Sequence, residues 1–147
     1  MKNNKIYNVL FPIWLLYLYP VTWLIIIPGN FIIDSLVLII SMFILKIVNK
    51  KELYKKSILK IFIIGFLSDI IGALFLLITA LLLELSQTGD DLYLTIPAVI
   101  ISLVLIFLGN YFFTFKKLDK KLRFKLSLIL AVVTAPYTFL IPISWIY

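Results

Sequence analysis

The charged residues of this 147-residue chain are almost wholly confined to short bands that separate long apolar runs, and Asp69 is the clear exception. Charged residues make up only 14% of the chain and hydrophobic residues 63%, whereas soluble domains contain roughly 25% charged residues. A helix needs about 20 mostly apolar residues to cross a bilayer, and the runs have this length. The pattern therefore predicts an all-α, polytopic integral membrane protein.

The charge bands, taken as boundaries, give five candidate transmembrane helices in a single membrane domain that covers residues 1–147. These candidate spans are residues 7–27, 31–48, 58–84, 93–115 and 124–147. Only Pro28-Gly29-Asn30 separates the first two spans. Pro and Gly stop helices and Asn caps a following one, so we expect a tight hairpin here and a compact five-helix bundle.

The distribution of Lys and Arg predicts how the chain sits in the membrane, because short cytoplasmic loops retain these residues. They lie in three bands, at residues 2–5, 46–60 and 116–125. The other connections carry no Lys or Arg, and the second of them contains Asp90 and Asp91. Five spans then place the N-terminus in the cytoplasm and the C-terminus outside. A bias toward Ile, Lys, Asn, Phe and Tyr, typical of AT-rich coding sequences, indicates a bacterial cytoplasmic membrane.

The net charge of +7 comes from these short juxtamembrane bands, so we expect anionic lipid headgroups as partners and no nucleic acid. The chain has no Cys and no His, which excludes disulfides, Cys/His metal sites and the commonest general base. It also lacks the G-x-S-x-G, H-E-x-x-H and Walker motifs. We expect no cofactor and no metal, and a function other than catalysis is favoured.

Small residues at helical spacing predict the faces through which the helices pack, because they let backbones approach closely in lipid. The predicted packing residues are Gly65, Gly72, Ser127, Ala131 and Ala135. Asp69 lies on the same helix face as the two glycines, and therefore on the packed side of its helix. A charge at the centre of a membrane helix costs roughly 3 kcal/mol, so Asp69 must be protonated, paired or beside water.

Two prolines fall near the predicted depth of Asp69, which is about 16 Å above the cytoplasmic edge at 1.5 Å per residue. Pro20 and Pro136 each remove a backbone donor and are predicted helix breaks. The carbonyls of Leu16 and Val132, four residues earlier, then need other partners. An interrupted helix beside a carboxyl is how many transporters build ion and substrate sites.

Further polar side chains extend the candidate binding site around Asp69. The additional candidate ligands are Asp34, Asn110, Thr134, Tyr137 and Thr138. Asp34 and Asn110 form successive levels with Asp69, about 8 Å apart along the membrane normal, which suits a water-linked path. Both also have ordinary structural explanations. Asp34 falls in the first turn after Asn30, where the helix dipole favours an anion, and Asn110 can hydrogen-bond between helices.

Two hypotheses about function follow from these features. The first is a small membrane protein that binds or translocates a proton, cation or small solute through a midplane site centred on Asp69. Five spans enclose a pathway poorly, so this hypothesis implies a homo-oligomer or a complex with another membrane protein. The second hypothesis is a non-catalytic partner subunit, such as a scaffold, assembly factor or immunity-type protein, that acts through helix contacts.

Overall fold

The computed structural model describes residues 13–82 and 92–141, and this part of the chain is helical without strands. It contains four long helices: α1 (Trp23–Ile44), α2 (Lys50–Leu82), α3 (Leu92–Gly109) and α4 (Lys120–Thr134). Short 3-10 segments cover Ile13–Leu18, Pro20–Thr22 and Tyr137–Leu140, and a π-turn covers Asn110–Thr114. Four stretches built on the long helices are long and apolar enough to cross a membrane.

The hairpin predicted at Pro28-Gly29-Asn30 is wrong, because α1 runs through these three residues without a turn. The physical reason is the solvent. In water a Pro-Gly-Asn sequence favours a turn, but within a bilayer a turn would expose unpaired backbone groups to lipid. A continuous helix pairs nearly all of those groups and loses only the donor that Pro28 lacks.

The five-helix count is therefore not confirmed, and the described residues contain four long helices. Residues 13–22 of the first predicted span form 3-10 turns, residues 23–27 begin α1, and residues 7–12 lie outside the described residues. α2 begins before the predicted residue 58, and α4 ends well before residue 147. The predicted sides of the two termini rest on residues 1–12 and 142–147, which the structure does not describe.

The four long helices form a closed bundle in which α1 and α3 each pack against α2 and α4. Two apolar clusters fill it. The first includes Leu38, Met42, Ile61, Phe115, Leu126 and Leu130, and the second includes Trp14, Tyr17, Ala73, Leu76, Ala98 and Phe139. The stretch of α2 from Gly65 to Asp69 lies between the two clusters along the helix.

The two Lys-rich connections lie at the same end of the bundle, which we call the lysine end. One joins α1 to α2 and the other joins the π-turn to α4, and both line a common cavity. α2 has 33 residues, so it is about 50 Å long, which exceeds the bilayer core of about 30 Å. This end of α2 can extend into the headgroup region because the helix is longer than the bilayer core. Six Lys residues lie between positions 46 and 60, and their side chains suit that region.

A complete helix-ending motif shapes the connection between α1 and α2. Lys46 has a left-handed backbone, with φ of 53°. Its N–H donates to Phe43 O at 3.2 Å, and the Ile47 N–H donates to Met42 O at 3.1 Å. This is the Schellman pattern, in which the left-handed position is usually Gly. The chain thus reverses direction within a few residues while pairing the last carbonyls of α1.

Candidate functional site

A cavity of about 220 Å³ lies beside the buried polar residues of α1 and α2. It is bounded by α1, α2, the end of α4 and the first 3-10 segment. The side chains and backbone that line it are Tyr17, Asn30, Ile33, Asp34, Gly65, Asp69, Val133, Thr134, Ala135, Pro136, Tyr137 and Thr138. We call this space the carboxyl cavity, because two buried carboxyl groups face it.

Asp34 lies near the middle of α1 and is only 4% exposed. The expected place in a first helical turn was wrong, because α1 begins at Trp23 and has no acidic residue in its first turn. The helix-dipole explanation for Asp34 therefore does not apply. The Asp34 carboxyl instead lies against Gly65 of α2, where an added Cβ would be 3.4 Å from Asp34 Oδ2.

Asp69 lies one helical turn beyond Gly65 on α2 and is also 4% exposed. Its Oδ1 is buried and has no hydrogen-bond partner among the described residues. Asp34 is close enough to interact electrostatically with Asp69. The two carboxyls therefore face one cavity, with Asp34 beside Gly65 and Asp69 one helical turn further along α2.

Tyr17 and Asn30 are site residues that the sequence analysis missed. Tyr17 lines the carboxyl cavity together with Asn30 and Thr138. The ring of Tyr17 packs edge-on against Phe139 with centroids 5.3 Å apart, and the Trp23 indole N–H donates to Tyr17 O at 2.8 Å. The available sequence signal was the nearby Pro20, which ends regular helix close to Tyr17.

α4 ends inside the bundle because Pro136 has no N–H to continue the helix. The Val132 carbonyl, four residues earlier, accepts a hydrogen bond from the Tyr137 hydroxyl instead. The Tyr137 N–H donates to Ala135 O at 2.7 Å, not to a carbonyl of α4. Residues Val133 and Thr134 at this helix end line the carboxyl cavity, so the negative end of the helix dipole faces it.

Pro20 has a different position from Pro136. It begins the short segment Pro20–Thr22, is exposed, and is not among the residues that line the carboxyl cavity. The Leu16 carbonyl accepts from the Thr22 hydroxyl and from the Tyr19 N–H at 3.2 Å. The effect of Pro20 on the cavity is indirect, because Pro20 belongs to the turn that follows Tyr17.

Asn110 is fully buried but lies outside the carboxyl cavity. The side-chain Nδ2 of Asn110 donates to Ile106 O at 3.0 Å. The backbone carbonyl of Asn110 accepts from the Phe115 N–H at 2.9 Å across the π-turn. The structure therefore does not bring Asn110 together with Asp34 and Asp69. Thr134, Tyr137 and Thr138 do line the cavity, although the Thr134 hydroxyl also donates to Leu130 O at 2.8 Å.

The predicted packing residues lie at helix contacts. Gly72 is buried against α3, where an added Cβ would overlap the Ser102 hydroxyl and lie 3.2 Å from Ala98 O. Ser102 also donates to Ser68 O at 3.0 Å, which joins α3 to α2 one residue before Asp69. On α4 and just after it, the buried small residues are Ser127, Ala131 and Ala135. Close packing of these backbones fixes the position of the carboxyl cavity.

The chemistry of the carboxyl cavity is defined by oxygen atoms, and none of the described residues that line it is Lys or Arg. The lining supplies two carboxyls, hydroxyl groups, one amide and the carbonyl end of α4. No group of three or more His, Cys, Asp or Glu side chains suited to a metal occurs in residues 13–82 and 92–141. Comparison with known proteins finds no matching family model, no similar curated protein and no similar solved structure.

Proposed function

We propose that this protein binds a proton or a small cation in the carboxyl cavity and carries it across the membrane. Asp69 is the central group and Asp34 is the second carboxyl. The observation that carries the proposal is that two buried carboxyls face one cavity and that no basic side chain stands among the described residues of its lining.

The electrostatic argument begins with the cost of burying charge. Moving a carboxylate out of water costs several kcal/mol even after the protein relaxes, and a neighbouring carboxylate adds repulsion. Within residues 13–82 and 92–141, no Lys or Arg lines the cavity beside Asp34 and Asp69 to offset this cost. At least one of them must therefore hold a proton or a cation whenever the bundle is packed as described.

The surrounding groups suit a cation better than an anion. Carboxylate, hydroxyl and carbonyl oxygens are the ligands that hard cations prefer. The carbonyl end of α4 adds negative potential at the same place, as half-helix ends do in the cation sites of many transporters. A cavity of about 220 Å³ also has room for an ion with water molecules, or for a small solute that carries an ammonium group.

Three further parts of the proposal concern the setting of the protein. The lysine end faces the cytoplasm and its Lys side chains contact anionic headgroups, following the distribution of Lys in short loops. The membrane is a bacterial cytoplasmic membrane. Four helices leave little room for a continuous pathway, so the working form is a homo-oligomer or a complex with another membrane protein.

The test is flux through purified protein in sealed vesicles that contain a pH-sensitive or cation-sensitive dye. Asp69→Asn should abolish most of the protein-dependent flux, and Asp34→Asn should reduce it. Asp119→Asn is the matched control, because Asp119 is exposed at the start of α4 and Asn also caps helices well. Flux in Asp69→Asn equal to that of the control would refute the assignment of Asp69.

Purification from native membranes distinguishes the carrier from the partner subunit. Flux by the isolated protein or its homo-oligomer supports the carrier. Absence of flux, together with stable co-purification of a different membrane protein, would support the partner-subunit hypothesis. In that case bulky substitutions on the packing faces, and not Asp69→Asn, should disrupt the function.

A further inference from the structure

A second cavity lies at the lysine end of the bundle, and its lining on α2 ends at Lys60, before the carboxyl cavity begins at Gly65. It has a volume of about 640 Å³ and lies between the α1–α2 connection and the π-turn that precedes α4. This volume is within the usual range of about 300–1,000 Å³ for pockets that bind small molecules. We propose that this cavity, which we call the basic cavity, binds the phosphate of an anionic lipid headgroup.

The charge of the lining points to an anion. Lys56, Lys60, Lys116 and Lys117 line the basic cavity, against Glu52 as its one acidic residue. Lys56 is paired with Glu52 at 2.5 Å. Among the residues that the structure describes, the other three Lys side chains have no ion-pair partner.

Two of the other cations near this end have aromatic contacts and are not part of the lining. The Arg123 guanidinium stacks over Tyr111 at 3.9 Å from the ring centroid and donates from Nε to Tyr111 O. Lys50 lies over the ring of Phe43 at 4.5 Å. Among the described residues, the basic cavity thus brings together three cations without an ion-pair partner, whereas other Lys residues of this end, such as Lys120 and Lys121, lie outside its lining.

Neutral hydrogen-bond donors strengthen the case for a phosphate. The Thr114 hydroxyl oxygen is buried and has no hydrogen-bond partner in the part of the chain that the structure describes, yet Thr114 lines the cavity. The first turn of α2 lines it as well, through Asn49, Glu52 and Leu53. Unpaired N–H groups and the positive end of the dipole make the start of a long helix favourable for an anion.

The edges of the basic cavity favour a lipid over a free phosphate ion. Val48 and Phe113 line it and are 92% and 69% exposed. These apolar side chains beside a basic interior match a molecule with a phosphate head and acyl chains. A general attraction of Lys to the membrane surface requires neither a cavity nor the unpaired Thr114 hydroxyl.

The test measures lipid retained by the full-length protein after transfer from nanodiscs to detergent, using native mass spectrometry. The nanodiscs contain phosphatidylcholine with a minor share of phosphatidic acid or phosphatidylglycerol. The pocket variant is Lys116→Gln with Lys117→Gln. The matched control is Lys120→Gln with Lys121→Gln, which removes the same charge from the same band but not from the cavity lining.

The proposal predicts selective retention of the anionic lipid by the natural protein and by the control, with at least a ten-fold loss in the pocket variant. Thr114→Val should also weaken retention by about ten-fold, the effect expected for a lost hydrogen bond to a charged group, and Thr114→Ser should restore it. Equal losses in the pocket variant and the control would overturn the proposal. So would equal retention of phosphatidylcholine and the anionic lipids by the natural protein.

Inorganic phosphate distinguishes the two sources of the same chemistry. If the site takes a lipid, phosphate at moderate concentration should neither displace the bound lipid nor raise the melting temperature of the delipidated protein. A rise in melting temperature with phosphate that is absent in the pocket variant, without lipid retention, would show a soluble anion site and overturn the lipid assignment. Circular dichroism of each variant verifies that the bundle is folded.

Discussion

Replacing Gly72 by Ala is expected to destabilise the bundle, because the added methyl group has no room between α2 and α3. An ideal Cβ at this position overlaps the Ser102 hydroxyl and lies 3.1 Å from Phe139 Cε2 and 3.2 Å from Ala98 O. Two of the three neighbours are poorly placed to yield. The Ala98 oxygen is backbone, and Ser102 is held by its hydrogen bond to Ser68 O.

The expected magnitude combines three contributions. Rotation of Ser102 away from the methyl group loses one interhelical hydrogen bond, worth about 0.6 to 1.7 kcal/mol in a membrane protein. Overpacking of a close helix contact costs about 1 to 3 kcal/mol. The better helix propensity of Ala recovers about 1 kcal/mol. The net loss of unfolding free energy for Gly72→Ala is therefore about 0.6 to 3.7 kcal/mol.

Gly29→Ala provides the matched control, since Gly29 is a glycine of α1 with no atom within 4 Å of an added Cβ. This variant should gain about 0.5 to 1 kcal/mol from helix propensity alone. Unfolding in mixed micelles with increasing denaturing detergent, followed by circular dichroism, measures both values. Equal stability of the two variants would refute the described packing of α2 on α3. A loss at Gly29 would contradict the continuous helix α1.

Three shorter predictions concern other positions. Lys46→Gly should raise the unfolding free energy by about 1 kcal/mol in the same assay, because Gly adopts the left-handed backbone of Lys46 without strain. A lower unfolding free energy would contradict the Schellman ending of α1. Asp119→Ala should lower the unfolding free energy by about 1 kcal/mol, because the Asp119 carboxyl accepts from the Lys121 N–H at 3.1 Å. Asp119→Asn should change the unfolding free energy little, since Asn also caps helices. Equal effects of the two substitutions would argue against this cap. Gly65→Ala should leave the fold intact, since its methyl group meets Asp34 Oδ2 at ordinary contact distance. The same substitution should reduce flux in the vesicle assay. Normal flux would show that the cation does not pass between these residues.

The membrane class and the buried face of α2 were accessible from sequence because they depend on strong, local physical signals. Long apolar runs and bands of Lys respond directly to the bilayer. The placement of Asp69 on the same face as Gly65 and Gly72 follows from helical spacing alone, and all three are buried in the structure. Such features need no knowledge of which helices are neighbours.

The continuous course of α1 was not predictable from turn propensities, because these reflect a chain in water. Lipid penalises unpaired backbone groups and so favours helix at Pro28-Gly29-Asn30. A turn at these residues also implies that Asp34 lies in a first helical turn near the outer edge. In the structure, Asp34 lies near the middle of α1.

The composition of the carboxyl cavity depends on contacts between residues distant in sequence. Tyr17 reaches Thr138 and Asn30 only because the first 3-10 segment packs beside α2 and the segment after Pro136. Asn110 is also polar and buried, but it has other neighbours and lies outside the cavity. Helical spacing gives the direction of a side chain within its own helix, but not the identity of the helix that it meets.

The contact between Asp34 and Gly65 constrains how this sequence can diverge. A residue larger than Ala at position 65 would occupy the space of the carboxyl group at position 34. Related chains that keep an acid at position 34 should therefore keep Gly or Ala at position 65, and chains with a bulky residue there should lose the acid. Joint variation of these two positions, together with an acid at position 69, would identify relatives that retain the same cavity even where overall sequence similarity has been lost.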